Sequence, residues 1–278
     1  MPIPTQPSRR FLLEELYDCF NQRAYVEPDP LQMVLEYEDP SDREIVGLIA
    51  ASLAFGNVKQ ILASIGRILP ALGSPAQYLA ETAPRIISRR FRDFRHRYAS
   101  GDDLARLLCG IQQVRAAYGA LEVCFVRALR ASENDVVIAL GDFTDALRVD
   151  PAEPNFLLPH PSRGSACKRL HLYLRWMVRR DAVDPGGWEG VDPAVLMVPM
   201  DTHMHRLARR MGLSQRRQAD ARTVREVTEG FRQWAPEDPA RYDFALTRLG
   251  IRREARTEEF LAAWANAAEP SARGGLLV

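Results

Sequence analysis

Lysine is almost missing from this chain. Of 37 basic residues in 278, only Lys59 and Lys168 are lysines, and arginine supplies the rest. Arginine stays protonated at physiological pH, so a chain this dependent on it offers few amines that could act as nucleophiles. The same scarcity singles out the two that remain, because a partly buried lysine can lose its proton and attack carbon. Cysteine is scarce as well: Cys19, Cys109, Cys124 and Cys167 are scattered, mostly within apolar helical spacing. That pattern argues against a metal cluster or a disulfide framework and suits a reducing compartment. Long hydrophobic runs are lacking, since the longest, "IVGLIAASLAF" at 45–55, is too short to cross a bilayer. The opening "MPIPTQPSRRFLLEELYDCF" acquires acids before any apolar core forms. Neither a signal peptide nor a membrane anchor is expected, and a cytoplasmic location is. Charge of one sign is lacking too, because 36 acidic residues leave a net charge of only +1.

What is present is helical. A hydrophobic content of 46% with 26% charged residues describes a folded chain long enough for one large core or two lobes. Segments such as "LARLLCGIQQVRAAYG" and "ALEVCFVRALR" repeat apolar residues every three and four positions, and strand patterns are nearly absent. The fold class expected is therefore all-α. Helix starts are expected at the capping-box pattern "SDRE" (41–44), after Gly56-Asn57, at Ser74-Pro75, at Asp102 or Asp103, and at Thr257. The strongest discontinuity is "VDPAEPNFLLPHPSRGS" at 149–165, with four prolines and no helical period. A helix follows it in "SACKRLHLYLRWMVRR", with Ser165 as the expected cap and Lys168 in the first turn. There, free backbone N–H groups could meet a phosphate.

Charge is unevenly spread. Arg163 to Arg180 holds six basic residues and no acid, Thr202 to Arg217 holds five arginines and no acid, and "RRFRDFRHRY" (89–98) has five arginines against one aspartate. Local basic faces on a neutral chain suit contact with a polyanion, although any one of them can be a solvated helix face. Amid the second patch, "VPMDTHMHRLARRMGL" (198–213) puts Asp201 at the mouth of a basic helix. By residue type it is an N-cap, and capping also keeps the carboxylate ionised, as a partner for a cation requires. A metal site is the weaker alternative. His203 and His205 point about 200° apart on a helix, and Asp201 with His205 at i, i+4 lacks a third ligand. No metal or other cofactor is expected.

The Asp-Thr-His segment resembles one in the helix-hairpin-helix DNA glycosylases, where an aspartate after a short apolar run opens a helix carrying Arg and Leu. Upstream, "LPHPSRGSACKRLHLYLRWMV" is similar to their hairpin and following helix, whose early lysine is the nucleophile of the bifunctional members. On that resemblance Lys168 and Asp201 are the catalytic pair. Their separation of 33 residues (201 − 168) is closest to that of archaeal 8-oxoguanine DNA glycosylases. The segments "IVGLIAASLAFGNVKQI" and "PARYDFALTRLGIRR" resemble the early core helix and the late helix of the superfamily, and a bacterial family within it is the expected affiliation. The hairpin departs from the usual Leu-Pro-Gly-x-Gly pattern, keeping only Gly164 and adding a proline, and no cysteine follows Cys167 to ligate an iron–sulfur cluster.

The resemblance implies a two-lobed helical bundle of the glycosylase type. Its expected divisions are N-terminal helices over 1–44 packing with the C-terminal lobe, a helical barrel with the hairpin-like unit over 45–180, and a C-terminal lobe over 181–270. A flexible tail over 271–278 completes it. The partner implied is double-stranded DNA, with neither a membrane nor an obligate protein partner. Besides Lys168 and Asp201, substrate or DNA contacts are expected from Gly164, Ser165, Arg169, Arg175, His203, Arg206 and Arg209, from Trp176 and Phe55 (with Trp188) as walls for an extruded base, and from Asn57. The activity implied is base excision with an AP lyase step, with an oxidised purine such as 8-oxoguanine as the leading substrate. The main rival is a non-catalytic DNA- or RNA-binding protein that keeps the fold, and a metal-dependent hydrolase is a distant third.

Overall fold

Three-and-four apolar spacing along most of the chain folds into helix after helix in the computed structural model, which describes residues 7–251 and 257–268. The expected tail at 271–278 lies outside the described residues. The helices α1 (Arg9–Phe20), α2 (Leu31–Val34), α3 (Pro40–Ser52), α4 (Val58–Leu72), α5 (Pro75–Glu81) and α6 (Pro84–Phe91) lead into a small hairpin. Its strands are β1 (Arg95–His96) and β2 (Ala99–Ser100). Then come α7 (Gly101–Tyr118), α8 (Leu121–Ala131) and α9 (Val136–Ala146), and α10 (Lys168–Val178) follows the proline-rich stretch. The chain continues through α11 (Thr202–Arg210), α12 (Ala221–Arg232), α13 (Asp243–Ile251) and α14 (Thr257–Asn266). Among the described residues the protein is all-α apart from the hairpin, and no described helix is long and apolar enough to cross a membrane.

Local chemistry sets most of the helix starts. Asn57 caps α4 by accepting from the Lys59 N–H at 2.9 Å, and Pro75 opens α5. Two expected starts move. Helix α7 begins at Ser100, which forms a capping box with Asp103, so the aspartate is the third helical residue and not the cap. Helix α3 is capped by Asp39 ahead of Pro40, which leaves the "SDRE" glutamate without its expected role. Glu44 instead turns inward and caps another helix. Its carboxylate accepts the Leu121 and Glu122 N–H groups at 3.0–3.2 Å, at the start of α8, where Ala120 has no side chain to do so. Arg115 pairs with it at 2.7 Å.

Two hydrophobic cores result. The first gathers Val26, Leu31 and Val34, the inner faces of α3 to α10, and the segment from Val183 to Leu196. The second joins Leu13, Leu16 and Tyr17 of α1 to residues from Val198 to Trp264. The division differs at three places from the expected one. Val26, Leu31 and Val34 belong to the first core although they precede residue 45, and Val183, Trp188 and Val191 stay with it although they follow residue 180. Ala240 and Phe244 join it from deep in the C-terminal part. The proline-rich stretch does not separate the cores, because Leu157 and Leu158 are buried in the first. Helix α10 is the axis of that core, buried from Leu170 to Val178. Gly47 of α3 lets it approach closely, since a Cβ there would lie 2.9 Å from Met177 Cε.

Candidate functional site between the two cores

A cleft of about 830 Å³ opens where the two cores meet. Lys168 and Asp201 both line it, together with residues of the α3–α4 turn, of α10 and of α13. Lys168 arrives from the first core. The chain leaves a short 3-10 turn over Pro161–Arg163, passes the left-handed Gly164 and enters α10 through Cys167, itself left-handed at φ 41° and ψ 37°. A non-glycine residue in that region is uncommon, and here it turns the chain so that Lys168 becomes the first helical residue. Cys167, not the expected Ser165, holds the N-cap position, and it offers no side-chain cap. Ser165 Oγ shares a 3.1 Å hydrogen bond with Cys167 Sγ and borders the cleft. Burial pushes the Cys167 thiol up, so it stays a thiol. The half-buried Lys168 donates from Nζ to the carbonyl oxygen of Ala54 at 3.4 Å.

Asp201 arrives from the second core as the N-cap of α11. Its Oδ1 accepts the His203 and Met204 N–H groups at 2.9 and 2.8 Å, and Met204, Leu207 and Ala208 anchor the helix beneath. One oxygen does the capping, which leaves Oδ2 available to the cleft. His203 lies exposed at the rim. His205 is tied down, with Nε2 hydrogen-bonded to the Arg216 carbonyl at 3.0 Å.

The other expected contacts fall into three groups. Phe55, Asn57 and Arg169 line the cleft. Arg169 is also a clamp: it donates to the carbonyls of Ser52 (2.8 Å) and Phe156 (2.9 Å) and lies over the Phe55 ring. Burial brings its pKa down to about 10. Gly164, Arg206 and Arg209 are exposed and do not line the cleft, and the Gly164 carbonyl is taken by the Ala221 N–H at 3.1 Å. Trp176 and Arg175 are corrections. Trp176 is fully buried in the first core, and Trp188 packs there against Phe125, Phe143 and Tyr173, so neither is a wall of the cleft. Arg175 borders the cleft but is 3% exposed and bound on two sides, to Asp184 at 3.1 Å and to Asp243, so it has no free face for DNA phosphate.

Asp243 is the residue sequence reasoning passed over. It opens α13, pairs with Arg175 and lines the cleft with Phe244, Thr247 and Arg248. Burial raises its pKa to about 6 against the pull of Arg175, and the charges of Asp201 and Lys168 also act on it. An aspartate in a first helical turn ordinarily complements the helix dipole, so its type and position gave no other signal. Asp29, which pairs with Arg248 at 2.8 Å, also lines the cleft. At the outer rim, Phe55 stacks edge-on with Phe156, which meets the exposed Tyr98.

An amine, a carboxylate that already caps a helix, and a second carboxyl poised near neutrality thus face one space. Such a set can attack an electrophilic carbon, stabilise positive charge and move a proton. Residues 29–252 match the model of a family described as "Protein of unknown function (DUF2400)", and the chain belongs to that family. No curated protein and no solved structure matches the chain.

Proposed function

We propose that the protein is a DNA base-excision glycosylase of the helix-hairpin-helix type with an AP lyase step, acting on an oxidised purine such as 8-oxoguanine in duplex DNA. The observation that carries this reading is that Lys168, one of two lysines, and Asp201, a helix-capping carboxylate 33 positions later (201 − 168), line the same cleft between the two cores. At about 830 Å³ the cleft lies within the range of sites for small molecules. It can receive a nucleotide turned out of the duplex, as chemistry on a base requires.

The steps follow from the groups present. Asp201 stabilises positive charge on the sugar as the C1′–N bond lengthens. The neutral Lys168 amine bonds to C1′, and the electron pair of the broken bond leaves with the base, which takes up one proton. A second proton passes from nitrogen to O4′ as the C1′–O4′ bond breaks, which opens the ring and gives a Schiff base. Loss of a C2′ proton then forms the C2′–C3′ double bond and expels the 3′ phosphate, cutting the strand. Lys168 donates to the Ala54 carbonyl, and only an amine free of its extra proton can attack carbon. Asp201 and Asp243 line the same cleft, where either could take that proton. In a non-catalytic DNA- or RNA-binding protein of the same fold, Lys168 would simply contact phosphate.

Borohydride trapping separates the two readings. Incubation with abasic and 8-oxoguanine duplexes should yield a covalent adduct with the wild type and none with Lys168→Arg, which keeps the cation and duplex binding. Asp201→Asn should keep the cap, and with it the melting temperature, while base release drops by about 10²-fold or more. Tight duplex binding without an adduct on any substrate would leave the binding module as the answer.

A further inference from the structure

The arginines of this protein are unevenly satisfied. Some are paired, as in Arg106 with Glu153 (2.6 Å), Arg115 with Glu44 (2.7 Å), Arg210 with Glu258 (2.6 Å) and Arg216 with Asp220 (2.6 Å). The face formed by α6 and the β1–β2 hairpin gathers a dense run of exposed ones. Arg85, Arg89, Arg90, Arg92, Arg95 and Arg97 are all exposed there. Among the described residues only Arg92 has an acidic partner, Asp93, and both of those side chains stand largely in solvent. Ile87 and Phe91 bury the opposite side of α6, so the helix has an apolar face turned inward and a basic one turned out. A helix dipole accounts for Arg89 and Arg90 in the last turn. It disfavours Arg85 in the first turn, and it does not reach the hairpin.

The face also adjoins the cleft. The Arg97 side chain crosses the α3–α4 turn so closely that a Cβ added at Gly56 would lie 2.6 Å from its Cδ and Nη1. His96 is hydrogen-bonded through Nε2 to the Phe55 carbonyl at 3.1 Å, and both Phe55 and Gly56 line the cleft. Arg85, Arg89 and Arg92 follow one side of α6 over about 10 Å at 1.5 Å per residue. One strand of duplex DNA presents a phosphate every ~3.4 Å of axis, so the row spans about three of them.

We infer that the exposed arginine face of α6 and the hairpin binds the phosphodiester backbone of duplex DNA beside the cleft, serving as the main electrostatic anchor of the protein. The inference rests on the DNA-directed reading above. In the patch at 163–180, Arg175 and Arg179 are held by carboxylates. In the patch at 202–217, Arg210 and Arg216 are paired. That leaves the exposed Arg206, Arg209 and Arg217 without an acidic partner among the described residues, fewer than the α6–hairpin face carries.

The test measures affinity for a fluorescent duplex several turns long, with salt varied from about 50 to 200 mM, for the wild type and two triple variants. Neutralising Arg85→Gln, Arg89→Gln and Arg92→Gln together should weaken binding and lower the log–log salt slope by about 2–3. The corresponding triple Lys variant should keep the wild-type slope. At saturating protein, the borohydride-trapping rate on an abasic duplex should match the wild type in both, because none of the three residues lines the cleft. If the Gln variant keeps wild-type affinity and slope while trapping proceeds, the anchor lies elsewhere and the glycosylase reading stands. A loss confined to heparin, with duplex binding intact, would also overturn the inference. If the wild type binds no duplex and traps no abasic site, the underlying reading fails first.

Discussion

Burial at the head of α13 raises the pKa of the Asp243 carboxyl to about 6. Its pKa is raised because burial penalises the anion, and Arg175, although paired with it, does not fully compensate. If the ionised form accepts the proton that Lys168 must lose, adduct formation by the wild type should rise with pH through about 6. Asp243→Asn should lack that limb and react about tenfold or more slowly near neutrality. The stability effect runs the other way. A folded-state pKa above the unfolded value of 3.8 contributes stability below that value, and the contribution is lost as pH rises through about 6. The variant should therefore lose less melting temperature than the wild type between those limits. A trapping profile identical to the wild type would reduce Asp243 to a structural partner of Arg175. At this scale the sequence exposes residues that are odd for their type, such as a lysine among arginines or an acid opening a basic helix. It hides those whose distinction is burial. Arg175 follows Lys168 by two helical turns and shares its side of α10, but only the packed fold places it under Asp243, 68 positions away.

Helices pack here through close backbone approaches that small residues permit. Gly110 of α7 faces the C-terminal end of α9, where an added Cβ would lie 1.9 Å from the Leu147 carbonyl oxygen. Gly110→Ala should force α7 and α9 apart and cost about 1–3 kcal/mol or more, measured by chemical denaturation. Because α9 contacts the 3-10 turn ahead of α10, the same variant should slow trapping by displacing Lys168. An unchanged denaturation midpoint would show that α9 yields freely. The existence and order of the helices are legible in apolar spacing, whereas their caps are less so. The "SDRE" pattern contains every residue of a capping box, yet Pro40 starts α3 earlier, and Glu44 gains more by satisfying three N–H contacts at the head of α8. A local motif cannot announce a cap supplied from another helix.

Between the two cores runs a buried ionic cluster. Arg179 of α10 meets Asp181 and Asp238 at 2.8 Å and also Asp184, while Tyr17 of α1 donates to Asp181 at 3.0 Å. Elements of both cores therefore share one set of charges. Arg179→Met keeps much of the volume but removes the guanidinium that Asp181, Asp184 and Asp238 share, which should cost about 3–5 kcal/mol. Calorimetry should show one unfolding transition for the wild type and two for the variant. One sharp transition at an unchanged temperature would mean that hydrophobic contact alone couples the cores. The proline-rich stretch reads in the sequence as a break, yet it does not mark where the two cores divide. Prolines mark where helices cannot run, and nothing in their spacing reveals that Leu157 and Leu158 are packed inside.

That α1 packs with residues from 198 to 264 has a further consequence during synthesis. The helix carries Leu13, Leu16 and Tyr17 out of the ribosome, and its partners emerge only after some 180 more residues are made. At the usual elongation rate of 5–20 residues per second, the delay is roughly 10–40 s. Throughout that interval the first core can assemble, while α1 presents an apolar stripe to whatever surrounds the nascent chain. The second core closes late, around a helix made long before its partners, and with it the wall of the cleft that holds Asp201.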